Sequence, residues 1–254
     1  MLGMSEFDTL GDTYERSAVE LPFREHVEHH SVRQAVGDVT GLTVLDMGCG
    51  SGIYTRRLAT WGARHVTGID VSGGMLATGH EREHAQQAGV TYLRRDATRP
   101  GPAGDPLLDG TCDVVVSVYA LCYAVTEQEL TGFLTTARRA LKPGGRLVAM
   151  TLNPDYGRGV RYYAGYGFSL TQHEEGEGAP VTLAATLPGG LPMSVTARWW
   201  SHRAYEKAAS AAGFARSSWA VPTVSETGAS QYGSAYWTAY LNAPQAVILN
   251  AAVG

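Results

Sequence analysis

The sequence is poor in cysteine, in charge and in long hydrophobic runs. Its 254 residues include three cysteines. Cys49, Cys112 and Cys122 form an odd, sparse set without metal-ligand spacing, which argues against a disulfide framework and a cysteine-based metal site. The longest apolar run, around residues 114–125, is far shorter than the roughly 20 residues that a membrane helix requires. The acidic N-terminus lacks an apolar segment, so we expect no secretory signal and a cytoplasmic location.

Charge of either sign is also limited. Charged residues make up 17% of the chain, hydrophobic residues make up 44%, and the formal net charge is −4 at pH 7. This balance is typical of a folded globular protein and not of a disordered chain. A mildly acidic protein has no general attraction for nucleic acid or anionic membranes, so neither is expected as a partner. The length suits one layered domain better than two full domains.

Apolar runs of strand length alternate with helix-length stretches between about Leu42 and Met150. The runs that predict strands are Thr43–Met47, His65–Ile69, Thr91–Arg94, Cys112–Val118 and Arg146–Leu152. The helix candidates between them are Thr55–Trp61, Gly74–Ala88 and Glu127–Ala140. This alternation predicts an α/β fold with an open, doubly wound parallel sheet.

The regions on either side of this core are less regular. Residues 1–40 are expected to form an N-terminal helical lid on a core of residues 41–152, with one or two helices over 12–37. Residues 153–192, rich in glycine and proline, predict an irregular insertion. Residues 193–254 are expected to resume the sheet with strands over Met193–Trp200 and Ala215–Val221. A helix capped by Ser201 lies between these strands, and an aromatic tail follows them.

The strongest local signal directly follows the first predicted strand. There the chain reads Asp46-Met47-Gly48-Cys49-Gly50-Ser51-Gly52. Alternate glycines allow a sharp turn and the close approach of a ligand to the backbone. The rival interpretation is the dinucleotide motif G-x-G-x-x-G, but Ile53 occupies the position of its third glycine. Asp46 would repel a pyrophosphate and attract an ammonium group, so the pattern favours an amino-acid-like cofactor.

This Asp-x-Gly-x-Gly-x-Gly run resembles motif I of the class I methyltransferases that depend on S-adenosylmethionine (SAM). The resemblance covers roughly residues 40–152, including the Pro-Gly-Gly turn within Leu141–Arg146 that leads into the fifth strand. It implies a Rossmann-like, seven-stranded, mostly parallel sheet of order 3-2-1-4-5-7-6, with SAM as cofactor and S-adenosylhomocysteine (SAH) as product. The cofactor-binding residues that it implies are Tyr14, Asp46, Gly48, Cys49, Gly50, Asp70, Val71, Met75, Asp96, Ala97 and Val118.

Two acidic residues at strand ends carry specific roles in this resemblance. Asp70 ends the second strand, where a carboxylate can accept hydrogen bonds from both ribose hydroxyls; capping of the next helix is the alternative. Met75 would pack against the adenine face or belong to the core. Asp96 would accept from the adenine amino group, with the amide of Ala97 on a ring nitrogen; a surface turn is the alternative.

The segment Ser117–Leu121 leaves the fourth strand, whose end would face the sulfonium methyl group. It lacks the Asn/Asp-Pro-Pro-aromatic run of enzymes that methylate DNA amino groups, which favours a small-molecule acceptor. A narrower resemblance to toxoflavin synthases, which are azapteridine N-methyltransferases, implies a heteroaromatic acceptor. The stretches that carry this resemblance are Phe7–Tyr14, Asn153–Tyr156 and Trp200–Phe214.

We expect two catalytic residues, Tyr14 and Tyr119. Together with Tyr123 and the aromatic residues of the insertion and tail, they would form a lid over a flat acceptor. No histidine is marked out as a general base, and no metal site is expected. A nicotinamide-dependent oxidoreductase and a non-catalytic SAM-binding partner protein remain alternatives. The acceptor atom, and the choice between monomer and homodimer, are left open.

Overall fold

The computed structural model describes residues 6–102, 104–105, 109–159 and 161–254. Its strands are β1 (Thr43–Met47), β2 (His65–Asp70), β3 (Thr91–Arg94), β4 (Cys112–Val118), β5 (Leu141–Leu152), β6 (Phe168–Gln172), β7 (Ala179–Leu187), β8 (Leu191–Trp199), β9 (Arg216–Ala220) and β10 (Ala246–Ala252). Seven strands form one sheet of order β3-β2-β1-β4-β5-β10-β9, and β6, β7 and β8 form a second sheet. In the large sheet β10 pairs antiparallel with both β5 and β9, and the other described strand pairs are parallel. The predicted order 3-2-1-4-5-7-6 is confirmed, with β9 and β10 as its sixth and seventh strands.

Helices cover both faces of the large sheet. They are α1 (Gly11–Glu20), α2 (His30–Val36), α3 (Ile53–Thr60), α4 (Gly73–Gln86), α5 (Glu127–Ala140), α6 (His202–Ala211), α7 (Glu226–Tyr232) and α8 (Ser234–Asn242). A π-helical segment, Arg24–His29, leads directly into α2. Ser201 is the N-cap of α6 as predicted, because its hydroxyl accepts a hydrogen bond from the amide of Ala204.

The central strands are buried on both faces, which explains their continuous apolar sequences. In β4, Val114, Val115 and Val116 are all fully buried. Alternate side chains of a strand point to opposite faces, so Val115 packs in one core cluster while Val114 and Val116 pack in the other. This double-sided packing holds the carboxyl ends of β1 and β4 side by side.

Two expectations for the region after β5 are wrong. The predicted strand over Met193–Trp200 exists as β8, but it belongs to the small antiparallel sheet and does not resume the large one. The insertion is also not irregular, because β6 and β7 lie within it. Period-two alternation predicts a half-buried strand, but the identity of the pairing partner depends on contacts distant in sequence. The turn after β7 uses Gly189 and Gly190, both with positive φ.

The last strand of the large sheet was missed. The sequence predicts an aromatic tail after the strand over Ala215–Val221, but residues 246–252 form β10, which lies between β5 and β9. β5 also begins earlier than predicted, at Leu141, and its pairing with β4 shifts register near Cys112. A short apolar run without turn signals on both sides does not distinguish a strand from other buried chain.

Within the described residues, none of the helices combines the length and apolar character needed to cross a bilayer. In the same part of the chain, no cluster of three or more His, Cys, Asp or Glu residues is arranged to hold a metal ion.

Candidate active site

One cavity of about 440 Å³ lies at the carboxyl ends of β1, β2 and β4. Sites for small organic ligands have volumes of about 300–1,000 Å³. β1 and β4 are neighbours at the point where the strand order reverses, the usual ligand position in a doubly wound sheet. The predicted site residues that line this cavity are Tyr14, Asp46, Gly48, Cys49, Gly50, Asp70, Val71, Met75, Asp96, Ala97, Val118 and Tyr119. The structure therefore brings the whole predicted set together, while the role of each residue stays a prediction.

Two positions of the glycine-rich turn after β1 leave no room for a side chain. Gly48 and Gly52 have φ values of +72° and +83°. A Cβ atom on Gly48 would lie 2.2 Å from the Cβ of Ala120, and one on Gly52 would lie 2.0 Å from the hydroxyl oxygen of Tyr92. The amide of Gly48 donates to the carbonyl of Ile69 at 2.8 Å, which fixes the turn to β2. Glycine is therefore required at both positions by the backbone conformation and by the close packing of the turn against Ala120 and Tyr92.

Asp46 lies at the base of the cavity and is only 1% exposed. The hydroxyl of Thr55 donates to its Oδ2 at 2.6 Å. Burial disfavours the charged carboxylate, the negative charge of Asp70 adds to this effect, and together they raise the pKa of Asp46 to about 7. Burial likewise raises the pKa of the Cys49 thiol, so this cysteine is not an activated nucleophile.

The Asp46 carboxyl predicts a pH-dependent stability. Its pKa is about 7 in the folded protein and about 3.9 in an unfolded chain, so the folded state binds more protons between these values. The free energy of unfolding should therefore fall as the pH rises from about 4 to about 7, and Asp46→Asn should remove this component. Urea titrations of both proteins across this range measure it. Parallel stability curves for the two proteins would contradict the prediction.

Asp70 links the glycine-rich turn to the start of α4. Its Oδ2 accepts the amide of Gly50 and its Oδ1 accepts the amide of Ser72, each at 2.8 Å. The side chain that caps α4 belongs to Ser72, whose hydroxyl accepts the amide of Met75 at 3.1 Å. The Asp70 carboxylate is thus held in place by backbone donors, and each of its oxygens retains lone pairs for a ligand in the cavity.

The third acidic residue of the cavity sits in a turn after β3. Asp96 Oδ1 accepts hydrogen bonds from the amide and the hydroxyl of Thr98, at 3.0 and 2.6 Å. Asp96 thus belongs to a turn, as in the alternative interpretation, and also lines the cavity, while its adenine-binding role stays a prediction. Met75 is 3% exposed and packs near the glycine-rich turn, where its methyl group would be 3.6 Å from a Cβ on Gly50.

The N-terminal segment packs against the start of α4 and closes one side of the cavity. Asp8 Oδ1 accepts hydrogen bonds from the hydroxyl of Ser72, at 2.5 Å, and from the amide of Gly74, at 3.1 Å. Phe7 lines the cavity and forms an edge-to-face contact with Tyr123, with ring centroids 4.9 Å apart. A Cβ on Gly74 would lie 2.0 Å from the carbonyl oxygen of Asp8. The segment can approach α4 this closely because residue 74 has no side chain.

Gly74→Ala should therefore displace the N-terminal segment. Forcing a methyl group into this contact costs about 1–3 kcal/mol, so hydrogen exchange in residues 6–20 should accelerate by about tenfold or more. Gly73→Ala is the matched control, because a Cβ there would meet its nearest atom at an ordinary 3.5 Å. Exchange followed by mass spectrometry measures both variants. Equal exchange in residues 6–20 of the two variants would contradict this close packing.

Tyr119 joins the cavity to a buried polar network that sequence reasoning missed. Its φ is +60°, unusual for a residue with a side chain. Its hydroxyl donates to the carboxylate of Glu28, and the amide of Gln245 donates to Tyr119 Oη at 2.8 Å and to Glu28 Oε1 at 2.6 Å. Arg24 Nε lies 3.0 Å from Glu28 Oε2, and the Arg24 guanidinium stacks 4.6 Å from the centroid of Tyr14. Both predicted catalytic tyrosines thus contact the buried Arg24–Glu28 ion pair, Tyr119 through Glu28 and Tyr14 through Arg24.

The predicted aromatic lid is only partly correct. Tyr14, Tyr119 and Tyr123 line the cavity, but the described aromatic residues of the insertion and tail do not. They pack against one another in a core between the small sheet and α8, where Tyr163 and Tyr240 are fully buried. Burying a large aromatic side chain in a core is more favourable than leaving it exposed at a ligand site. The hydroxyl groups of the buried tyrosines donate to backbone carbonyls, as that of Tyr163 does to Ala243 at 2.7 Å.

The cavity wall includes residues that no sequence pattern indicates. Thr196 and Arg198 of β8 line it, as do Val125 and Phe133 near α5. β8 is more than 70 residues from β4 in sequence, so no local spacing indicates that the two contribute to one site. Arg95 also lines the cavity, but an ion pair with Asp105 neutralises its charge.

Comparison with known proteins agrees with this geometry. Residues 44–145 match the methyltransferase domain family. The chain is 34% identical over 143 residues to a demethylmenaquinone methyltransferase of Tropheryma whipplei, covering 56% of this chain and 55% of that protein. It is 38% identical over 114 residues to the 18S rRNA (guanine(1575)-N(7))-methyltransferase of Saccharomyces cerevisiae, covering 42% of this chain and 38% of that protein. The chain thus spans about half, or less, of the length of these relatives.

The similarity in fold extends over nearly the whole chain. The structure of the CcbJ methyltransferase from Streptomyces caelestis superimposes with a TM-score of 0.65 over 99% of each chain, at 18% identity. At this identity the likeness shows the fold. The domain match covers the glycine-rich turn after β1 and the carboxyl ends of β1, β2 and β4, which contribute residues to the cavity. Residues 44–145 therefore match a methyltransferase domain, and the chain as a whole shares the fold of a solved methyltransferase structure.

Proposed function

We propose that this protein transfers the methyl group of SAM to a small-molecule acceptor, a heteroaromatic or other natural-product-type metabolite, at nitrogen or oxygen. One observation carries the proposal. A single cavity connects the glycine-rich turn and its acidic residues with a wall of aromatic side chains, Phe7, Tyr119 and Tyr123. A polar nucleoside cofactor and a flat acceptor require these two different surfaces within one enclosure.

The chemistry of the cavity fits SAM. Gly48 and Gly50 leave room for a ligand against the backbone, and the Asp46 carboxyl offers an acceptor oxygen for an ammonium group. Asp70 would accept the ribose hydroxyls, and Asp96, Ala97 and Met75 would hold the adenine. When bound, SAM supplies an electrophilic methyl group on a sulfonium centre.

The contribution of the chain is to bind, orient and exclude water. The aromatic wall offers π faces for a flat acceptor and for a positive charge. Holding the nucleophile close to the methyl group removes the entropy loss of a bimolecular encounter from the reaction step. This positioning accounts for much of the rate enhancement in such reactions. The described residues that line the cavity include no histidine. An acceptor that reacts as a neutral lone pair is therefore a better match than one that must first lose a proton to an imidazole.

The names of the relatives support a small molecule and also define a rival. The Tropheryma whipplei relative is named for a quinone precursor, whereas the yeast relative is named for ribosomal RNA. A net charge of −4 disfavours a polyanionic acceptor. We therefore favour a small-molecule acceptor over RNA, and the test includes ribosomal RNA as a competing acceptor.

The test combines cofactor binding with transfer of a labelled methyl group. Thermal-shift titration should show stabilisation by SAH and none by NADH, which separates the proposal from a nicotinamide-dependent oxidoreductase. Incubation with methyl-labelled SAM and a panel of heteroaromatic, phenolic and amine acceptors should label at least one of them. Labelling of ribosomal RNA alone would replace the small-molecule proposal. Binding of SAH with no labelled acceptor would favour the non-catalytic SAM-binding alternative.

A further inference from the structure

The small sheet turns a polar face toward the cavity. Along β8, Val195 and Ala197 are buried, and Ala197 packs in the aromatic core. The residues that alternate with them, Thr196 and Arg198, line the cavity. The hydroxyl oxygen of Thr196 lies 3.4 Å from that of Thr182 on β7, so the polar character extends across the strand pair. This face supplies hydrogen-bonding groups to a cavity wall otherwise formed by apolar residues such as Val125 and Phe133.

Arg198 brings an unneutralised positive charge to this wall. Within the described part of the chain no carboxylate forms an ion pair with it, and its only hydrogen bond is a long one, 3.4 Å, to the carbonyl of Gly178. Arg95, the other arginine in the cavity, differs because Asp105 pairs with it. A guanidinium carries five N–H donors in a planar fork that matches an anionic oxygen pair, and most donors of Arg198 are left unused.

The charges of the cavity are distributed unevenly. The carboxylates of Asp46, Asp70 and Asp96 lie at the ends of β1, β2 and β3, whereas Arg198 is contributed by the small sheet. An anionic ligand group would be disfavoured at this acidic end of the cavity and attracted by the guanidinium. An acceptor with an acidic group at one end would therefore enter with that group toward β8. The field of the cavity thus favours one orientation of such an acceptor.

From these observations we propose that the methyl acceptor carries a carboxylate or another acidic oxygen group, and that Arg198 binds it. The inference rests on the proposed methyltransferase function and adds the substrate class. Arg198 acts here as a specificity-determining residue. A charge-assisted, bidentate contact is stronger than a neutral hydrogen bond, so an acid should bind about tenfold or more tightly than an amide of the same shape.

The test uses the SAH-loaded protein and does not depend on turnover. Isothermal titration compares three matched pairs of acid and amide: benzoate with benzamide, 1-naphthoate with 1-naphthamide, and quinoline-2-carboxylate with its amide. At least one acid should bind about tenfold or more tightly than its amide. Arg198→Gln should abolish that preference, and Arg198→Lys should keep part of it. Arg216→Gln removes the same charge from an exposed position on β9 and should keep all of it.

Two outcomes would overturn the inference. One is equal affinity of acid and amide in every pair, or no binding of any acid. The other is a preference for acids that survives in Arg198→Gln. Binding of SAH, measured first in the same series, tests the cofactor site separately. A protein that binds SAH yet does not discriminate between acid and amide refutes the anionic acceptor alone, whereas failure to bind SAH refutes the proposed function.

Discussion

Replacing Arg24 with methionine should lower the free energy of unfolding by about 3–5 kcal/mol, because it leaves a buried carboxylate without its counter-charge. Arg24 and Glu28 have exposed side-chain fractions of 7% and 2%. Burial raises the pKa of Glu28 above its ordinary value even with the Arg24 charge beside it. Removing that charge raises the pKa further. Urea denaturation at pH 8 measures the loss.

The pH dependence of this loss distinguishes lost charge compensation from lost packing. The folded-state pKa of Glu28 in the variant lies above the unfolded value of about 4.3, so the folded state binds the extra proton between the two values. Stability then falls as the pH rises through that window, and the deficit of Arg24→Met should be smaller at pH 5 than at pH 8. Equal deficits at the two pH values would contradict a role for the Glu28 charge.

A matched control exists in the preceding helix. Arg16 and Glu20 form an ion pair of the same residue types at the same spacing, 2.9 Å apart, with exposed side-chain fractions of 46% and 26%. Solvent screens this pair, so Arg16→Met should cost less than about 1 kcal/mol. A larger cost would show that a lost arginine stem, and not burial of the pair, explains the Arg24 result.

The second large effect concerns the cofactor. Asp70→Asn should weaken the binding of SAH by about tenfold or more, because a neutral amide replaces the charged acceptor proposed for the ribose hydroxyls. The amide keeps the size of the side chain but only one acceptor oxygen, so one of the two backbone donors, Gly50 or Ser72, loses its acceptor. Isothermal titration with SAH measures the change.

Asp113→Asn is the control for this experiment. Asp113 also accepts a backbone amide of the large sheet, that of Thr43 at 2.8 Å, but at the opposite end of the strands. Its substitution should leave the affinity for SAH unchanged. If Asp70→Asn binds SAH within twofold of the unaltered protein, Asp70 has only a structural role at the turn.

Much of the fold could be predicted because its signals are local. A strand buried on both faces requires a continuous apolar run, as in β4, and a crossover helix must separate parallel neighbours. Ser201 begins a helix because its hydroxyl satisfies a free amide of the first turn. Two errors of prediction, the placement of β8 in the large sheet and the failure to predict β10, have the same cause. Strand pairing is a choice among distant partners, and no residue in either strand encodes its neighbour.

The same distinction applies within the site. Gly48, Gly50 and Asp70 were predictable because a glycine-rich turn and an acidic strand end are contiguous patterns with fixed spacing. Glu28 was not, because four-residue spacing from Arg24 is equally typical of an exposed helical pair. Burial separates the two cases, and burial depends on what the rest of the chain places over the pair. Here Tyr119 and Gln245, both more than 90 residues away, cover it.

By itself, the sequence determined the class of sheet, the glycine-rich turn at the cavity and the acidic residues around it, because each depends on neighbours along the chain. Only the tertiary structure decided which side chains form the rest of the cavity wall. It directed the aromatic residues of the insertion and tail into a core and brought Arg198 to the cavity wall. The physical reason is that an acceptor pocket forms where distant segments meet, and its shape and charge follow from their packing.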